Sequence, residues 1–125
     1  MTAILTHPIF LVGLGGAVGS NLRYWLGWWM RSHGWTAPFP WHTLLINVTG
    51  SILLALVTLA VKDRSGGWFL LLGVGVCGGY TTFSTFSLET VELIRTGRWD
   101  LAAAYAGASM VLGFLGFLAV VLCSE

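Results

Sequence analysis

The sequence predicts an all-α membrane protein of four transmembrane helices, the third of them broken, forming a single domain over residues 1–125. Three observations predict it. Only 9% of the residues are charged while 56% are hydrophobic, and the mean hydropathy is +0.82; a soluble domain carries roughly 25% charged residues. Four apolar stretches each come close to the roughly 20 residues a helix needs to cross a bilayer. The third stretch is interrupted by two adjacent glycines and a run of hydroxyl-bearing residues, which weaken a helix. A formal net charge of +1 leaves no basic face for nucleic acid. The two cysteines, Cys77 and Cys123, lie inside apolar runs. They are too few for a disulfide framework or a zinc site and read as small buried hydrophobes.

The first span runs from about Ile9 to Met30. Within it Gly15, Gly19 and Arg23 share one helical face at four-residue spacing, so a neighbouring helix can approach closely. Two readings of Arg23 stand side by side. It snorkels to the interface marked by Trp25 and Trp28, or it lines a watery vestibule and draws in anions. The second span, Thr43 to Val61, puts Thr43, Asn47 and Ser51 on one face. Asn47 is either glue between helices or a pore-lining amide that offers N–H to an anion.

The third span, Trp68 to Ile94, is the unusual one. Trp68 to Tyr80 is too short to cross, and it ends in Gly78-Gly79-Tyr80 followed by Thr81 to Ser87. An unwound stretch from Gly78 to Thr81 is expected, and irregular backbone at membrane depth is tolerated only where protein or a cavity covers it. Broken helices of this kind characteristically hold ions. Phe83 and Phe86 then face the same way on the resumed helix. Plain packing explains such a pair; in a polar setting, electropositive ring edges would favour an anion. Glu89 and Glu92 follow toward the interface. The fourth span, Leu101 to Leu122, carries Ala102, Ala106, Ser109, Gly113 and Gly116 as a seam of small residues, with Tyr105 and Ser109 adding hydroxyls beside it.

Tryptophans gather at the span ends as an aromatic belt: Trp25, Trp28, Trp29, Trp35, Trp41, Trp68 and Trp99. The N-terminal stretch lacks the positive region of a signal peptide, since the first Lys or Arg is Arg23. Lys62 and Arg64 fall on one side of the membrane, and Arg31, Arg95 and Arg98 on the other. So near a tie sets no strong orientation. The chain can insert both ways up and pair with an inverted copy of itself, or the count is simply uninformative.

Gly15-Gly16-x-x-Gly19-x-x-x-Arg23-Tyr24, Thr43-Leu44-x-x-Asn47-x-x-Gly50 and Gly78-Gly79-Tyr80-Thr81-Thr82-Phe83-Ser84-Thr85-Phe86-Ser87-x-Glu89 resemble the Fluc/CrcB fluoride channels. The resemblance covers essentially the whole chain. It implies an antiparallel, dual-topology homodimer in the cell inner (plasma) membrane, with two pores that pass fluoride passively and exclude chloride. Phe83 and Phe86 would supply ring edges. Asn47 and the hydroxyls of Thr43, Ser84, Thr85, Tyr105 and Ser109 would hydrogen-bond the ion. Arg23 would sit in the vestibule, and the backbone carbonyls of Gly78 and Thr81 from both subunits would hold a central structural sodium ion (Na+). Gly113 departs from the pattern, because relatives often carry a serine there; the hydroxyl track is thinner at that end.

No span has an acidic residue near its middle, which favours a passive channel over proton coupling. A small multidrug-type transporter would need a carboxylate embedded in the first span, and Ile9 to Met30 has none. A scaffold without transport would explain the glycines but not the break. An enzyme is not expected: His7, His33 and His42 lie in or near flanking segments with no nucleophile or metal partner.

Overall fold

A computed structural model describes residues 1–125, and every element in it is helical. After one turn, α1 (Thr2–Leu5), comes α2 (Pro8–Ser32). Pro8 occupies the first helical position, where its missing N–H costs nothing, and His7 Nδ1 accepts from the Ile9 amide. Ser20 and Asn21 interrupt the apolar surface of α2, but each donates to a carbonyl of its own helix, Gly16 at 2.6 Å and Ala17 at 2.7 Å. α3 (Trp41–Ala60) begins directly after Pro40. In the connection that follows, Asp63 accepts from the hydroxyl and amide of Ser65, which holds its carboxyl below the usual carboxylate range.

Residues 67–80 form one helical run in three pieces: α4 (Gly67–Phe69), a π-helical segment (Leu70–Cys77) and α5 (Gly78–Tyr80). Thr81 and Thr82 are extended. α6 (Phe83–Arg95) then resumes and α7 (Trp99–Cys123) completes the chain. α6 stops in a Schellman motif: Gly97, at φ +79, sends its amide to Ile94, and the Arg98 amide returns to Leu93.

Three segments are long and apolar enough to cross a membrane: Trp41–Ala60, Gly67–Arg95 taken across its break, and Trp99–Cys123. α2 matches them in length, with 25 residues. Packing is set by small residues. A Cβ on Gly15 would overlap the Leu71 carbonyl oxygen and stand 2.8 Å from Gly75 Cα, so α2 meets the π-helical segment backbone to backbone. Gly19 against Val76, and Gly79 against Gly16, continue this seam. On the other side α7 lies against α3, where a Cβ on Gly116 would come within 2.9 Å of Ile52. The buried cluster of Leu44, Leu93, Ala102 and Tyr105 joins α3, α6 and α7.

One expectation is corrected. The break was expected to span Gly78 to Thr81, yet Gly78 is helical at φ −63, ψ −39, and helix persists through Tyr80. The interruption is confined to Thr81 and Thr82, with ψ of 158 and 117. The reason is that the glycine pair serves close packing: Gly79 meets α2, while a replacement for its helical bonds exists only one residue pair later.

Candidate functional site

That replacement is Asn47. Its Oδ1 accepts from the Thr82 amide at 2.8 Å and its Nδ2 donates to the Thr82 carbonyl at 3.1 Å. One side-chain amide thus satisfies both backbone groups of an extended residue that would otherwise be unpaired inside the protein. Thr82 in turn caps α6, its hydroxyl accepting from the Thr85 amide. Gly50, one turn beyond Asn47, makes room for the break, since a Cβ there would overlap Thr81 Cγ2. Asn47 therefore acts as glue between helices, and its second Nδ2 hydrogen is left for another acceptor.

Beside this junction lies a cavity of about 660 Å³. Of the residues singled out in the sequence, Asn47, Gly78, Thr81, Phe83, Phe86 and Ser109 line it. Ser109 Oγ is buried without any hydrogen-bond partner. The Phe83 and Phe86 rings stand 6.0 Å apart; Phe83 is 81% exposed, while Phe86 is half-buried against Tyr105 at 5.1 Å. Gly113 also lines the cavity.

The other predicted residues fall outside it. Thr43 and Tyr105, both fully buried, turn their hydroxyls onto the two oxygens of Glu89, Thr43 at 2.8 Å to Oε1 and Tyr105 at 2.7 Å to Oε2. His42 Nε2 lies 3.4 Å from the same Oε1. Tyr105 touches both Phe86 and Glu89, so this cluster continues the cavity along α7, past the Phe86 ring. Ser84 is exposed at the start of α6 and makes only a 3.4 Å contact with Thr82; Thr85 contributes its backbone amide to the cap. Arg23 sits on α2 with its Nε buried and unpartnered.

Glu89, Thr82 and His42 are the residues that the sequence reading did not place. Glu89 had a signal, because a carboxylate within an apolar span is a functional candidate by default. Thr82 and His42 had none, since their roles depend on which helix comes to face them.

Long apolar helices packed through glycines around a polar, partly buried cavity define a multi-span membrane protein. The sequence comparison places it further. The profile of the CrcB-like proteins (Camphor Resistance, CrcB) matches residues 10–122, and the chain belongs to that family. A protein of Oceanobacillus iheyensis named fluoride-specific ion channel FluC is 47% identical over 108 residues, 84% of this chain and 81% of its own. Its namesake from Rhizobium meliloti is 44% identical over 116 residues, covering 90% and 92% of the two chains. A third, from Thermus thermophilus, is 48% identical over 107 residues, 84% of each.

Proposed function

We propose that this chain is a fluoride-selective channel that passively exports fluoride across the cell inner membrane, with four spans per chain and two pores in an antiparallel homodimer. The names of the relatives support the ion. The observation that carries the pathway is Ser109: a buried hydroxyl without a partner, facing a cavity shared with Asn47 and the rings of Phe83 and Phe86. Fluoride is small and tightly hydrated, so a pore must replace its water with short donor contacts. Here the spare Asn47 N–H, the Ser109 hydroxyl and the positive ring edges are such contacts. Thr43 and Tyr105 extend the donor line, but Glu89 holds both hydroxyls. An ion passing Phe86 takes these donors over only as the Glu89 carboxylate gives them up. Ser84, Thr85 and Arg23 belong to the approaches on this reading.

The backbone around the break fits a structural sodium ion. The Thr81 amide returns to the Cys77 carbonyl and the Thr82 amide is taken by Asn47, so neither closes a helical turn onto the Gly78 carbonyl. The Thr81 carbonyl accepts no hydrogen bond. Both residues border the cavity. The oxygens of Gly78 and Thr81, with those of a second copy, would hold the ion, which would offset their dipoles and pin the break.

Fluoride efflux from liposomes containing the purified protein, with chloride efflux as control, tests this reading. Fluoride release above the protein-free rate, without matching chloride release, is expected; equal rates with and without protein overturn it.

A further inference from the structure

We infer that His42 is a positioning residue for charge at the Glu89 end of the pathway, and that fluoride passage consequently rises in acid; the inference rests on the channel reading above. His42 Nε2 and Glu89 Oε1 are 3.4 Å apart, and the two side chains are only 20% and 15% exposed. Water screens such a pair far less than a surface pair. Glu89 makes no other ionic contact. Thr43 and Tyr105 already hold its two oxygens at 2.8 and 2.7 Å, so a third donor at 3.4 Å adds little to its placement. What His42 adds is a charge that can be switched.

The groups facing this pair come from every helix around it. Thr43 belongs to α3 with His42, Glu89 to α6, and Tyr105 to α7. From α2 comes Arg31: a Cβ on Gly27 would stand 3.1 Å from Arg31 Nη1 and 3.5 Å from His42 Cδ2, so guanidinium and imidazole both lie over that glycine. Arg31 opposes protonation of His42, whereas Glu89, within ion-pair range, favours it. Glu92, Arg95 and Arg98 are exposed, Arg98 lying 3.7 Å from Asp100.

An ionised Glu89 repels an anion arriving past Phe86. Histidine is the side chain whose ordinary charge change falls between about pH 5 and about pH 8. Below its titration, imidazolium beside carboxylate brings the pair to zero net charge and lifts the repulsion. Above it, the carboxylate stands uncompensated. Flux therefore grows as pH falls.

The test compares fluoride efflux from liposomes holding the native protein or His42→Gln, with protein-free liposomes subtracted at each pH because undissociated acid crosses lipid unaided. Native flux is expected to rise on the order of tenfold between about pH 8 and about pH 6, the change that one unit of protonation free energy allows; His42→Gln should be flat. Parallel pH profiles for the two proteins, or native flux that falls in acid, overturn the role of His42 while leaving the channel intact. A native protein that carries no fluoride at any pH overturns the channel reading and this inference with it. Imidazole titration by NMR in detergent gives a readout free of flux: the His42 midpoint should drop in Glu89→Gln, and an unchanged midpoint sinks the coupling.

Discussion

Asn47 performs with one side chain what a neighbouring strand does with its backbone, pairing both polar groups of Thr82. Asn47→Leu leaves an amide and a carbonyl unpaired, at about 1–3 kcal/mol each. Thermal unfolding in detergent should show the loss, together with severely reduced fluoride flux; a native melting curve would contradict the pairing. Phe83→Ile separates the two effects. That ring is 81% exposed in the single chain, so stability should move by no more than about 0.5 kcal/mol, and a fall in flux reports on the pathway alone. Gly113→Ser asks the opposite question. A Cβ there meets only Ser51 Oγ, at an ordinary 3.6 Å, so the serine that relatives often carry should be accommodated without loss of stability, with flux equal to or above native. The sequence named Asn47, Phe83, Phe86 and Ser109 because their residue types announce donors and ring edges. It did not disclose that Thr43 and Tyr105 spend their hydroxyls on Glu89, because that depends on how three helices meet.

The glycines of α2 are not equivalent. Gly15 and Gly19 face the backbone of the π-helical segment, whereas a Cβ on Gly13 or Gly16 meets nothing within 4 Å. Gly15→Ala should therefore cost about 1–3 kcal/mol or prevent assembly. Gly13→Ala should be neutral or slightly stabilising, since alanine is the better helix former. Equal melting temperatures for the two variants would show that the seam is not as tight as it stands. The stripe of Gly15, Gly19 and Arg23 was legible as a packing face, since spacing alone gives the face. The π winding of residues 70–77 was not, because no local preference distinguishes it from α-helix. The break was misplaced for a related reason: adjacent glycines mark weak helix and close packing alike, and only the position of Asn47 on another helix decides between them.

At the scale of the whole molecule, few residues are buried, 19 of 125, and large apolar side chains cover the outside, α7 alone exposing Met110, Val111, Leu112, Phe114, Leu115 and Leu118. A surface of this kind suits lipid and a second subunit, and composition already made that legible. All seven tryptophans are exposed toward helix ends, as the belt requires. For the proposed inverted pair the chain carries its own reporter. Cys77 is buried and Cys123 is exposed at the end of α7, so a membrane-impermeant maleimide should label Cys123 from either face of sealed vesicles. Labelling from one face only would rule out dual insertion.

The wide winding of Leu70–Cys77 makes chain length itself a constraint. A π turn takes up more residues than an α turn, so the segment stores surplus chain. Deleting a single residue there would let it relax to ordinary winding and swing everything downstream by roughly 100°, the rotation per residue of an α-helix. Thr82 would swing away from Asn47, and the wall formed by Phe83 and Phe86 would rotate off the cavity. The same deletion in the exposed Lys62–Ser65 connection would merely shorten a loop. Between two stretches of similar size, one tolerates changes of length and the other only changes of letter.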